Sequence, residues 1–365
     1  MKKTIFLSVI ALAIIAFTNT SNARPAKAAS GNTFSALNGN KLIVVLLESD
    51  DDYVAKLKKK HEDKELEAYS NSIKTYNDNI QEIAPKYFNM GRTIEFKTPS
   101  EIATMTVDDR NTCFFLLYNR AISFEGMRGQ ATDHGCDFYN KSQKDVARSV
   151  KDYKECTTFE WLDPKYKGED DNRMLTLYMP RGNYEGSAVT QNLASFVPTK
   201  AELVLCLTQL TNTMTANTAW TGKTDRKARK EEMEKKNKEN VAIIQKKTLL
   251  ICKDNFERAA TNEGVKANYP YPFKLVSKAD FDNAILTKDS SVCLLWVMPF
   301  MKMPNMGSGQ VKYAHTIIDP ATCNTMLQVF SGKMVINGFG MAGYQTISVA
   351  QMHDIADEMD KDSKK

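Results

Sequence analysis

The chain has 365 residues, of which 25% are charged, with a formal net charge of +5, seven cysteines and four histidines. That length exceeds what one core usually organises, so two domains are expected. An odd number of cysteines at scattered spacings, with no CxxC pair, excludes a disulfide scaffold as the organising principle.

The N-terminus reads as a cleavable export signal. Lys2 and Lys3 precede an uncharged apolar run from Thr4 to Phe17, and the chain then turns polar with small residues through Ala23. The run is shorter than the roughly 20 residues that a permanent spanning helix needs, and candidate cleavage sites follow Ala23 and Ala28. Residues 1–28 are therefore set aside from the fold, and the expected location is periplasmic or extracellular. Their removal takes away Lys2, Lys3, Arg24 and Lys27 and no acid, leaving a net charge of +1. A nearly neutral chain with charges of mixed sign lacks the basic face of a nucleic-acid binder. No later apolar stretch reaches spanning length, so no membrane span is expected after signal cleavage.

The mature chain then alternates strand and helix signals. Lys41–Leu47 is a continuous apolar run of the kind found in a sheet covered on both faces. Leu66, Tyr69, Ile73, Tyr76, Ile80 and Ile83 recur at helical spacing up to Pro85, a stripe read as a helix packed on its own sheet rather than a coiled-coil surface. A strand near Thr93–Phe96 precedes the capping box Thr98-Pro-Ser-Glu101, and the apolar run Cys113–Tyr118 follows.

The same order appears again. Lys247–Cys252 is a strand, Asn255–Asn262 a short helix stopped by Gly264, and Tyr271–Lys274 leads to a box at Ser277-Lys-Ala-Asp280, followed by the run Cys293–Met298. Met174–Tyr178 and His315–Ile318 add a strand to each half. Helices after Thr199-Lys-Ala-Glu202 and Ser348-Val-Ala-Gln351 close them, the first with Leu203, Leu207, Leu210 and Met214 on one face. The expected fold is α/β, two tandem duplicated β-α-β-α-β-β-α units with mostly parallel sheets. In domains, this gives 29–221, with a long insertion near 120–173, a charged helical linker over 222–245, and 246–365.

Sites are harder to find. Gly338-Phe-Gly340-Met-Ala-Gly343 spells GxGxxG, but no following strand carries the acidic residue that would hold a ribose, so it reads as a turn into the last helix and no nucleotide cofactor is expected. Met298, Met301, Met303 and Met306 crowd one short stretch with His315 downstream, and soft thioethers suit Cu(I). That makes a copper site a candidate, against the plainer reading that methionines fill gaps beside a sheet. A thiol nucleophile at Cys136 beside His134 would need a base from elsewhere, and His315 is the available one, because His61 lies in a charged helix and His353 on an exposed face. The acidic clusters Asp50–Asp52 and Glu169–Asp171 lack the spacing of a calcium loop and read as helix-start charges and a polar turn.

No constellation specifies a reaction. The leading expectation is a non-enzymatic protein of the cell envelope that binds another protein, a peptide or a glycan. A secreted hydrolase with a dispersed site and a periplasmic copper carrier are the alternatives.

Overall fold

Where each apolar run ends up is decided by strand alternation. The structure, a computed structural model, describes residues 41–88, 93–122, 132–133, 142–155, 171–178, 187–195, 197–219, 226–257, 261–302, 310–330 and 347–364. The expected signal segment lies outside the described residues.

In the first unit, β1 (Lys41–Val45) is flanked in parallel by β2 (Ile94–Lys97) and β3 (Cys113–Ile122). β3 pairs antiparallel with β5 (Asp171–Tyr178), which pairs antiparallel with β6 (Ser187–Leu193), while the two-residue β4 (Thr132–Asp133) also pairs with β3. The order is β2-β1-β3-β5-β6. In the second unit, β7 (Thr248–Cys252) is flanked in parallel by β8 (Phe273–Val276) and β9 (Val292–Lys302). Antiparallel pairing continues through β10 (Gln310–Asp319) to β11 (Asn324–Phe330), giving β8-β7-β9-β10-β11. The class is α/β, and the two sheets share one strand order and one set of directions: three parallel strands, then an antiparallel extension.

β6 and β11 are absent from the expected element order. Their sequences, SAVTQNL and NTMLQVF, mix polar and apolar residues because each strand forms the outer edge of its sheet. They lack the continuous apolar run by which strands covered on both faces announce themselves.

The helices begin where the caps place them. Asp50 caps α1 (Asp51–Lys60), its carboxylate accepting from the Tyr53 N–H. α2 (Asp63–Tyr87) buries Tyr69, Tyr76, Ile80 and Ile83 as the stripe requires, and it continues through Pro85 to Tyr87 instead of stopping there. α3 (Pro99–Thr104) carries the complete Thr98–Glu101 box, and the short α4 (Val107–Asn111) leads into β3. α5 (Gln143–Glu155) lies within the long insertion. α6 (Lys200–Ala219) starts at Thr199, and α7 (Arg226–Ile244) spans the charged stretch between the units, its last turns burying Val241 and Ile244.

The short helix expected over 255–262 is displaced. Residues 253–255 form a single 3-10 turn, and α8 (Asn262–Asn268) starts after the Thr261 cap, with Gly264 inside its first turn. A Cβ at Gly264 would stand 3.2 Å from Val349 Cγ2, so this glycine is where α10 (Val349–Lys364) presses against α8, not a stop signal. α9 (Lys278–Leu286) is capped by Ser277 as expected, and the Ser348–Gln351 box at the start of α10 is formed in both directions. No helix of the described residues is long and apolar enough to cross a membrane.

β9 shows how the layers divide. Cys293, Leu295 and Val297 enter a core with α7, α8 and α10, while Leu294, Trp296 and Met298 enter the core shared with the first unit. That shared core joins both sheets through α6, which packs on α2 and β6 on one side and on α9 on the other. Ala201 through Leu207 of α6 are all buried, so the single apolar face expected for it is replaced by burial all round.

One core should unfold as one. Leu207→Ala should lower the unfolding free energy by about 2–5 kcal/mol and shift the denaturant midpoints of far-UV circular dichroism and of total thiol exposure together. Two separated transitions would contradict the shared core.

Candidate functional site

In an open α/β sheet a crevice forms where chain connections leave in opposite directions from neighbouring strands, outside their carboxyl ends. The second unit has this arrangement at β7 and β9. From β7 the chain passes through α8 to β8 on one side, then through α9 across to β9 on the other. The two helices lie on opposite faces, Val265 of α8 in one core and Phe281 of α9 in the other.

A pocket of about 80 Å³ lies at this point. Cys252 and Asn255 contribute from the end of β7, Lys278 and Phe281 from α9, Trp296 and Val297 from β9, and Tyr313 from β10. The first unit completes the wall with Ala194 and Ser195, the residues that follow β6.

Lys278 is the one charged side chain among the described lining residues. Its ammonium pairs with Asp282 one helical turn on and lies 5.7 Å from the centre of the Trp296 ring. Trp296 in turn packs on Phe281, ring centres 5.4 Å apart. Asn255 is held by its backbone, whose carbonyl accepts the Ile347 N–H at 2.6 Å.

Behind the first unit's wall stands Glu202, fully buried in the first turn of α6. Its Oε1 accepts the backbone N–H groups of Ala194 and Ser195, the latter at 2.9 Å, rather than returning to its own cap as the expected box implies. Burial pushes the Glu202 carboxyl up, against the bonds from Ser195 and Ala194 and the more distant Lys278 charge. The corresponding residue of the second unit, Gln351, is neutral and does bond back to its cap.

At the equivalent positions the first unit carries an internal ion pair. The ladder registers align Val45 with Cys252 and Leu116 with Leu295, so Glu48 stands where Asn255 stands and Tyr118 where Val297 stands. Glu48 accepts from Ser100 N at 3.0 Å and Ser100 Oγ at 2.7 Å, and Lys154 of α5 lies 2.7 Å from it. The neighbouring Tyr153 donates its hydroxyl to the Tyr118 carbonyl at 2.9 Å. Burial alone would raise the Glu48 carboxyl, but the bonds from Lys154 and Ser100 outweigh it and hold it below the usual carboxylate range.

None of the described residues singled out in the sequence lines this pocket. Met298 is buried in the shared core beside the strand, Met301 lies in β9, and Met303 and Met306 lie outside the described residues. His134, Cys136 and the GxGxxG stretch at Gly338–Gly343 also lie outside them. His315 is buried in β10, opposite Val297 of β9 and Val329 of β11. His61 adopts a left-handed conformation at the end of α1, and His353 is exposed on α10 within 3.6 Å of Asp357.

Cys113, Cys206, Cys252, Cys293 and Cys323 carry free, buried thiols. Desolvation raises each of them, Cys293 to about 11, which makes them inert hydrophobes rather than nucleophiles. Cys323 sits buried in the tight turn between β10 and β11 with φ of 57°. Among the described residues no group of three or more His, Cys, Asp or Glu side chains is placed to hold a metal. Comparisons with protein families, with curated proteins and with solved structures gave no match.

Glu202 makes a prediction with a defined sign. Its folded value lies above the unfolded value of 4.5, so its stabilising contribution is complete below pH 4.5 and is lost as pH rises through the folded value. Glu202→Gln keeps an acceptor for the Ala194 and Ser195 amides without ionising. The variant should therefore gain on the parent above pH 4.5 by about 1.4 kcal/mol per unit of upward shift, read by urea unfolding from pH 4 to 8. Parallel curves for the two proteins would refute a raised Glu202.

Proposed function

We propose that this chain is an exported, non-enzymatic binding protein of the cell envelope, and that it takes part of a protein, peptide or glycan ligand at the pocket between its two units. One observation carries the reading: the second unit's open crevice lies at the point where α/β sheets bind ligands, and the first unit builds one of its walls. The lining suits binding. Trp296, Phe281 and Val297 supply apolar area, while Ser195, Asn255, Lys278 and Tyr313 supply the few polar groups that orient a ligand.

The two units are further proposed to descend from one ancestral unit by duplication. Matching strand order, matching directions and threonine or serine caps at equivalent helix starts support this. Export itself rests on Lys2–Lys3, the apolar run to Phe17 and the small residues that follow.

Two experiments test the proposal. Protein isolated outside the cytoplasm should begin at Arg24 or Ala29 by N-terminal sequencing, and recovery of the full chain from the cytoplasm alone would reject export. Ser195→Trp fills the pocket from the first unit's side. The immobilised mature protein should retain a component of an envelope extract that the variant retains at least about tenfold less, with both proteins unfolding at the same temperature. Equal retention by both, or none by either, would remove the pocket from the function.

A further inference from the structure

We infer that the pocket between the units recognises a carboxylate, presented either by a small organic acid or by the C-terminus of a peptide. This rests on the binding reading above and adds the chemistry of the group bound.

The argument comes from comparing one crevice with the other. In the first unit the chain supplies both partners of a carboxylate site. Glu48 projects from the end of β1 onto the first turn of α3, where it accepts from the amide and hydroxyl of Ser100, and Lys154 of the inserted helix α5 pairs with it. Tyr153 bonds to the carbonyl of Tyr118 beside this pair. The second unit brings a cation from a different element, Lys278 at the start of α9, and has no acid at the Glu48 position. At the Glu48 position it has the neutral Asn255, and at the Tyr118 position Val297, both lining an open pocket.

The charge around the pocket agrees. Lys278 projects into it, and no described lining residue is a carboxylate. Two acids lie nearby and neither fills the role. Asp282 takes one N–H of the Lys278 ammonium from the helix, leaving others for a ligand. The Oε1 of Glu202 is occupied by the amides of Ala194 and Ser195, and its burial favours the uncharged form, which does not repel an anion. Among the lining residues, Ser195, Asn255 and Tyr313 carry polar side chains, and Trp296 and Phe281 add apolar rings. A pocket of about 80 Å³ takes the carboxylate and the atoms next to it, with the rest of the ligand lying outside.

The test uses the mature protein and defined probes: acetate, propionate, 3-phenylpropionate, and the tripeptide Gly-Ala-Phe as its free acid, each beside the matching amide, by calorimetry up to about 10 mM. At least one acid should bind about tenfold or more tighter than its amide, the difference expected for a charge-assisted bond. Lys278→Met should abolish that preference. Asn255→Glu should abolish it as well, by restoring to the second crevice the acid that the first supplies for itself. Binding by the simple acids without the tripeptide identifies an organic acid as the source, and binding by the tripeptide acid identifies a chain terminus.

The inference is overturned by acids and amides binding alike, by a preference that survives both substitutions, or by no acid binding at all. Its failure is separable from failure of the binding reading: a retained component lost in Ser195→Trp, together with indifference to all acids, keeps the pocket and discards the carboxylate.

Discussion

Past the exposed Lys200, the first two turns of α6 have no solvent-facing side. A helix in that position must be apolar all round, and from Ala201 to Leu207 this one is, with the single exception of Glu202. Most other features of the molecule are arranged about that constraint. The sheet of the first unit and α9 of the second meet across α6, so the two units share a core instead of touching at a polar interface. A buried carboxylate in such a place requires donors, and the donors are the backbone amides of Ala194 and Ser195. The pocket wall that the first unit lends to the second is therefore positioned by the same acid that helix burial isolates.

Repetition of one topology makes the differences between the units informative. α5 covers α3 in the first unit much as α6 covers α9 in the second, so each crevice is roofed by a helix. The roofs bond differently. α5 approaches with its C-terminal end and places Lys154 on Glu48 as an internal ion pair. α6 approaches with its N-terminal end, and its acid turns back to the loop that precedes it, leaving Lys278 facing space. Similar architecture thus carries an internal ion pair in one unit and an open pocket in the other through a few side chains.

The elements that the sequence announced were those whose signals are local. Capping boxes at Thr98 and Ser348, the alternating helix stripe of α2 and the continuous runs of β1, β3, β7 and β9 each follow from contacts within a few residues or from burial on both faces. The edge strands β6 and β11 carried no such signal, because half-covered strands mix polar and apolar residues. Gly264 was misread as a helix stop, since what it serves is the approach of Val349, a residue far away in the chain. The pocket was illegible for a related reason. Ser195, Asn255, Lys278 and Trp296 lie in separate segments and come together only through strand order, so although Lys278 falls in the Ser277 box and Trp296 in the run Cys293–Met298, nothing local marks them as one site.

The burial of α6 also constrains the order in which the molecule can be completed. Synthesis delivers the chain from its N-terminus, so α6 is present before β7, α9 and β9 exist to cover its second side. Throughout that interval an apolar helix face stands in water, and the half-made protein is adhesive in a way the finished one is not. An N-terminal fragment ending near Ala219 would keep that face permanently. The boundary between the two units, plain as it is in the strand order, is therefore a poor place to cut the chain.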